Sequence, residues 1–249
     1  QDEFSGVVSW PTHVAVLSDD DIYLRDNYGI HLFHPSTGES ILIDGTSKAR
    51  KNTMAVAQGK VFAAKSATVI VIEQGQTATS ATIEFTGNVS GVLKSSDGNL
   101  WVSTADKTIS KVDAQTYEII ETHDVSDVVT GSQLSASFAA APSITAKGDT
   151  LYMSGLTSTI YRHVFSTGET TLMADAKDYV DNCGIIYNTC AVHPRTGEVV
   201  LNSIKGYGTS YLTNHITFFD FSGETPAVAA DYADYTRFPA GTFFTYNFE

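Results

Sequence analysis

The chain has 249 residues, 42% of them hydrophobic, which is ample for a buried core, and no apolar run approaches the roughly 20 residues of a membrane-spanning helix. Its 28 Asp and Glu against 15 Lys and Arg leave a net charge of −13. Phosphate backbones are bound by neutralising cations, and "KARK" (48–51) is the one short basic cluster, so nucleic acid is not expected as a partner.

From the N-terminus, "FSGVVS" (4–9) suits an outer strand, and "WPTHVAVLS" (10–18) suits an inner strand with alternating character. "DDDIYLRD" (19–26) places a polar turn ahead of the alternating Ile22-Tyr23-Leu24, and "GIHLFHPSTGESILI" (29–43) holds two further strands separated by a turn. The same unit returns as "KNTMAVAQ", "QGKVFAAK" and "TVIVIEQGQTATSATI" over 51–83. It returns again as "VSGVLKSS", "SDGNLWVST" and "TISKVDAQTYEIIET" over 89–122, then as "APSITAKG", "KGDTLYMSG" and "TIYRHVFSTGETTLM" over 141–173. Residues 175–187 have room for one turn of helix at most. The fifth copy is "NTCAVHPRT", "TGEVVLNS" and "HITFFDFSGETPAVAA" over 188–230, and "RFPAGTFFTYNFE" (237–249) reads as the first strand of a sixth.

Four short strands joined by Gly, Asp and Ser turns and recurring at about 40–50 residues are the mark of an all-β protein, a β-propeller of four-stranded antiparallel blades. Each small sheet has two apolar faces and buries them against its neighbours. Anchoring on Ile22, Val61, Leu100, Leu151 and Val200 gives five complete blades in a single domain over residues 1–249, incomplete towards its C-terminal end. The repeat also places Asp19, Asp20 and Asp21 in a hairpin whose counterparts read "QG", "SDGN", "KGD" and "RTGE". Asp and Gly serve such turns because they tolerate positive φ and bond their own backbone, whereas calcium wants about 6–8 oxygens from a convergent loop. No metal site and no cofactor are expected.

"LWVSTADKTISKVDAQTYEIIETHDV" (100–125) resembles the repeat of the YVTN-type, YncE-like β-propeller family. Leu100 to Thr104 match its opening "LYVTN", and Ile109 to Thr116 match "TVSVID" and the turn that follows. "IHLFHPSTGE" (30–39) and "IYRHVFSTGE" (160–169) are looser copies. Within that group the chain is most similar to secreted propeller lipoproteins of Bacteroidetes, which share a Phe-Pro strand start like "FPAGTFF" (238–244). The resemblance implies an extracytoplasmic location, at the cell surface or in the periplasm, with a lipid anchor in the precursor. It implies seven blades. One related branch binds cobalamin at the cell surface and passes it to an outer-membrane transporter, so a cobalamin-like small molecule and a transporter protein are the partners it suggests.

In a propeller, the loops entering the innermost strands and those joining second to third strands share one face, the usual place for ligands. By register, the entry loops carry Trp10, Asn52, Phe138, Tyr187 and Phe238, and the second-to-third loops carry Arg25, Asp26, Tyr28 and the long "SIKGYGTSYLTNH" (203–215). Gly206 and Gly208 in that loop permit close backbone approach, while Tyr207 and Tyr211 offer flat amphipathic surface for a sugar or a corrin-like ring. His13 falls on an innermost strand, and Asp26 and Asp181 are the first candidates for a carboxylate role. His31 and His34 are three apart on a strand, face opposite sides and make poor co-ligands.

The expected function is non-catalytic binding of a small molecule, glycan or partner protein at the channel mouth. The alternative is a polysaccharide lyase or glycoside hydrolase with a dispersed site, which requires two carboxylates, or a carboxylate and His13, to converge on substrate. The ligand-contacting candidates are Trp10, His13, Arg25, Asp26, Tyr28, Asn52, Asp181, Tyr187, Tyr207 and Tyr211. Spacing leaves open whether Cys183 and Cys190 are bridged or free.

Overall fold

The computed structural model describes residues 8–51, 53–135, 143–155 and 157–244, the side chains of 188 and 189 excepted. The chain divides into two compact units, residues 1–122 and 123–249. The first unit holds three four-stranded sheets. They are β1 (His13–Val16), β2 (Ile22–Arg25), β3 (Ile30–His34) and β4 (Glu39–Leu42); β5 (Met54–Ala57), β6 (Lys60–Lys65), β7 (Thr68–Glu73) and β8 (Ala81–Glu84); and β9 (Val89–Lys94), β10 (Leu100–Thr104), β11 (Thr108–Val112) and β12 (Ile119–Asp124). The last two residues of β12 count with the second unit. That unit adds β13 (Ile144–Lys147), β14 (Thr150–Met153), β15 (Thr159–Val164) and β16 (Glu169–Asp175), then β17 (Ile185–Val192), β18 (Val199–Ile204), β19 (Asn214–Asp220) and β20 (Ala227–Ala233).

Every sheet is a meander in which each strand neighbours the next in sequence. Ile22, Val61, Leu100, Leu151 and Val200 all fall on second strands, as the repeat requires. Side-chain alternation explains why the sheets stack. On β6, Val61 and Ala63 join Tyr23, Ile30 and Leu32 of the first sheet, while Phe62 and Ala64 turn the other way onto Val92, Leu100 and Val102 of the third. The second sheet is therefore apolar on both faces, and each large side chain fully buried there contributes about 1.5–3 kcal/mol. In the second unit Ile160 and Ala174 pack with Ile186, Leu201 and Phe219 in the same manner.

The aspartates form the β1–β2 turn. Leu17 N–H donates to Asp21 O at 3.0 Å, and Ser18 Oγ accepts the Asp21 N–H at 3.0 Å. The Asp20 carboxylate receives the Ser36 N–H and hydroxyl at 2.8 and 2.7 Å, while that of Asp21 receives the Gln74 amide at 2.6 Å. Two of the three carboxylates are thus directed to different neighbours.

At the margins one expectation differs from the structure, one falls largely outside the described residues, and one open question is answered. Residues 237–244 form no strand. Phe238 is drawn onto the rings of Tyr187, which lies on β17 rather than in an entry loop, and of Tyr211 in the loop after β18, and residues 245–249 lie outside the described residues. Of "FSGVVS", residues 4–7 lie outside the described residues, and Val8 and Ser9 are not in a strand. Cys183 and Cys190 are buried free thiols, so the bridge that spacing left open is not formed. The expected helical turn is the 3₁₀ segment Ala176–Asp178, and a second, Gly208–Leu212, lies inside the long loop, where no periodic signal announced it.

Candidate ligand-binding face

In the first unit, four of the candidate residues gather where β2 turns into β3. Asp26 is wholly buried, and its carboxylate accepts the N–H groups of Ser9, Tyr28 and Gly29 at 2.8, 2.8 and 3.1 Å. His31 Nε2 lies 3.2 Å from the same group. Burial alone would raise the Asp26 pKa, but the three N–H donors and His31 outweigh it and hold the carboxyl below its usual value. Arg25 is equally committed. Its Nε and Nη2 both donate to Ala49 O, at 2.9 and 2.7 Å. Both side chains are therefore joints of the loop rather than free ligand contacts, and what they display is Trp10 and Tyr28, 79% and 58% exposed. Trp10 sits at φ 56°, in the left-handed region that a bulky residue enters only at a cost.

His13 lies on β1 as expected, and its Nδ1 accepts the Met54 N–H from β5 at 3.3 Å. Burial lowers its pKa to about 4, so the ring is neutral at pH 7 and ties one inner strand to the next. His31 and His34 part as expected: His34 turns to Asp20 O at 2.8 Å, away from the Asp26 side. Asn52 and Phe138 lie outside the described residues.

The second unit assembles the other set at one end of the fifth sheet. Ile185 at the start of β17 pairs with Ile204 at the end of β18, which pairs with Asn214 at the start of β19, and Ala233 at the end of β20 pairs with His215. Segment 176–184, loop 205–213 and segment 234–238 consequently meet there. Tyr187 packs edge-on against Phe238, centroids 4.6 Å apart at 70°, and Tyr211 packs on the same ring at 5.5 Å and 85°. Such edge-to-face pairs contribute about 0.5–1.5 kcal/mol beyond burial. Asn214 fixes the arrangement. It is fully buried, and its Nδ2 donates to the carbonyls of Tyr211, Leu212 and Thr236 at 3.1, 3.3 and 2.9 Å, while its own N–H donates to Asp234 Oδ1 at 2.9 Å.

Tyr207 stands apart, 68% exposed, whereas Tyr211 is 36% exposed and partly structural. The loop that carries them begins at Lys205, which lines an open cleft of about 260 Å³ together with Lys177, Val180, Asp181, Asn182, Cys183 and Gly184. Gly184 is required by close approach: its N–H donates to Ile204 O at 3.1 Å, and a Cβ there would overlap the Lys205 carbonyl. Burial pushes the Cys183 thiol up, so it is an unreactive floor. Lys177 was missed by sequence reasoning, while Lys205 and Asn214 lie in the long loop it singled out without being picked as contacts. Lys205 is two residues from the candidate Tyr207, but Asn214 acts through three segments that only the fold brings together.

Trp10, Arg25, Asp26 and Tyr28 thus belong to one unit, and Asp181, Tyr187, Tyr207 and Tyr211 to the other. Among the described residues, no group of three or more His, Cys, Asp or Glu is placed to hold a metal ion.

Five four-stranded antiparallel meanders whose apolar faces are buried between successive sheets within each unit define the class: a β-propeller. The chain belongs to the family described as Domain of unknown function (DUF5074), whose profile matches residues 3–245. No curated protein matches it in sequence. Solved structures agree on the fold. The Neurospora crassa Pan2 WD40 domain is similar with a TM-score of 0.59 and 11% identity, over 88% of this chain and 64% of that one. Virginiamycin B lyase from Staphylococcus aureus is similar with a TM-score of 0.60 and 13% identity, over 88% and 69%. The computationally designed Ika8 protein gives 0.59 and 15%, over 89% and 61%. This chain therefore spans about two thirds of the length of these propellers, and at such identities the likeness concerns fold alone.

Proposed function

We propose that this chain is a non-catalytic, extracytoplasmic binding propeller that takes a small molecule, glycan or partner protein on its loop face. The observation that carries the reading is the aromatic group at the end of the fifth sheet. Tyr187 and Tyr211 both pack on Phe238, Asn214 holds the Tyr211 backbone, and Tyr207 is presented to solvent two residues from Lys205 of a polar cleft. Rigid, pre-positioned aromatic surface lowers the ordering cost of binding. The location rests on the resemblance to secreted propeller lipoproteins, as does the suggestion of a cobalamin-like ligand passed to a transporter.

The lyase or hydrolase alternative asks the same residues to do acid–base work. Asp26 accepts three backbone N–H groups, and His13 Nδ1 accepts the Met54 N–H, which favours scaffolding over proton transfer for both. A thermal-shift screen across cobalamins, neutral oligosaccharides and charged metabolites tests the binding reading. A compound that raises the melting temperature of the native chain and not that of Tyr207→Ala supports it. Turnover of any of these compounds by the purified chain would replace it with the enzymatic one.

A further inference from the structure

We infer that the cleft lined by Lys205, two residues from Tyr207, is a subsite for a neutral sugar of a glycan chain, an inference that rests on the binding reading above and gives its ligand a chemical class. The argument is one of matching the lining to what it can recognise. The cleft has ammonium groups on Lys177 and Lys205, a carboxylate on Asp181, and an amide on Asn182 that both donates and accepts. Its volume of about 260 Å³ is below the roughly 300–1,000 Å³ usual for drug-sized ligands, so it holds one ring-sized piece of a larger molecule.

Three ligand classes fit this lining poorly. A multiply charged anion wants converging cations, and here Asp181 shares the cleft with the two lysines while Asp175 and Asp178 flank Lys177 in sequence. A cation meets Lys177 and Lys205. An apolar body wants hydrophobic walls, and four of the seven lining residues are charged or amide-bearing, with Val180 and Cys183 as the apolar side chains. Hydroxyl groups are donor and acceptor at once, so a polyol satisfies ammonium, carboxylate and amide together with no net charge to compensate.

The second half of a sugar site is a flat ring for the C–H face, and the same loop supplies it. Lys205 lines the cleft, and its N–H donates to Thr213 O at 2.9 Å across the loop that presents Tyr207 and Tyr211. Tyr207 is 68% exposed, and its neighbour Gly208 has φ 64°, which opens the 3₁₀ turn that carries Tyr211. One loop thus carries a hydrogen-bonding head of the cleft, Lys205, and an exposed stacking surface, Tyr207, two residues apart, with Asn214 holding its far end.

Isothermal titration of the full chain with cellotetraose, laminaritetraose and α-mannotetraose, with citrate and cyanocobalamin alongside, tests the inference. The expected result is saturable binding of at least one oligosaccharide, insensitive to added NaCl because the ligand carries no charge. Tyr207→Ala and Asp181→Asn, both at exposed positions, should each weaken it by about tenfold with circular dichroism unchanged. Oligosaccharide binding that neither substitution alters would overturn the placement. If all three oligosaccharides fail while citrate or cyanocobalamin binds and loses affinity in Tyr207→Ala, the sugar inference falls and the binding reading stands. If none of the five compounds binds, the sugar inference falls, and the binding reading then stands or falls on the wider thermal-shift screen.

Discussion

Acidification should unfold this protein in part through one buried ring. His163 on β15 is fully buried, with Nδ1 2.9 Å from Thr170 Oγ1 and Nε2 2.9 Å from His123 Nδ1, and the His123 ring stacks on Phe165 with centroids 4.1 Å apart. Burial first, and the neighbouring His123 second, lower the His163 pKa from 6.5 to about 4. An unfolded chain takes up this proton as the pH falls through about 6.5, and the folded chain only near 4. Between those values the unfolded state binds more protons, so the His163 contribution is fully present above pH 6.5, declines as the pH drops, and levels off below 4. The gap corresponds to on the order of 3 kcal/mol, most of it lost by about pH 4.5. His163→Gln retains an amide able to bond the Thr170 hydroxyl and removes the titration. Urea midpoints at pH 7 and pH 4.5 measure the effect: the native chain should lose about 2–3 kcal/mol more between the two than the variant does. Background carboxylates and His13 titrate in both proteins and cancel. Equal losses would refute the reasoning.

Asn214→Ala strips one amide from three carbonyls and should cost about 2–3 kcal/mol, read as a lower urea midpoint, with faster amide exchange over 207–213. Gly184→Ala forces the Lys205 carbonyl aside and should lower stability by about 1–3 kcal/mol in the same assay, whereas Gly223→Ala, where a Cβ meets only an ordinary contact at 3.7 Å, should cost less. Burial pushes the Cys190 thiol up to about 11, so Ellman's reagent should find neither cysteine promptly in the native protein at pH 8 and both at once in guanidinium. Native-state mass showing a loss of two hydrogens would contradict the free thiols.

The repeat was legible because its signal is local. Turn residues before Ile22, Val61, Leu100, Leu151 and Val200 and the period-2 alternation after them depend on a handful of neighbours, so sheet number and strand order followed directly. The final "RFPAGTFF" had the composition of a strand, but pairing is decided by a partner, which composition cannot reveal. The site was half legible. Exposed aromatics in loops are visible in sequence, and Tyr207 stays exposed, yet Tyr211 and Tyr187 are drawn onto Phe238, more than twenty residues further along the chain. Polar residues misled more. Asp26 and Arg25 looked available for ligand, and the fold spends them on Ser9, Tyr28, Gly29 and Ala49 because buried backbone groups must find partners.

The central claim is that ligand is bound at the loop end of the fifth sheet. Hydrogen–deuterium exchange of the native chain, with and without the compound that most raises its melting temperature, tests this most directly. Binding there predicts slowed exchange over 177–184 and 205–213, with the edge strand 227–233 unchanged. Saturable binding that slows exchange elsewhere, around Trp10 and Tyr28 for instance, and leaves 205–213 unprotected would contradict it.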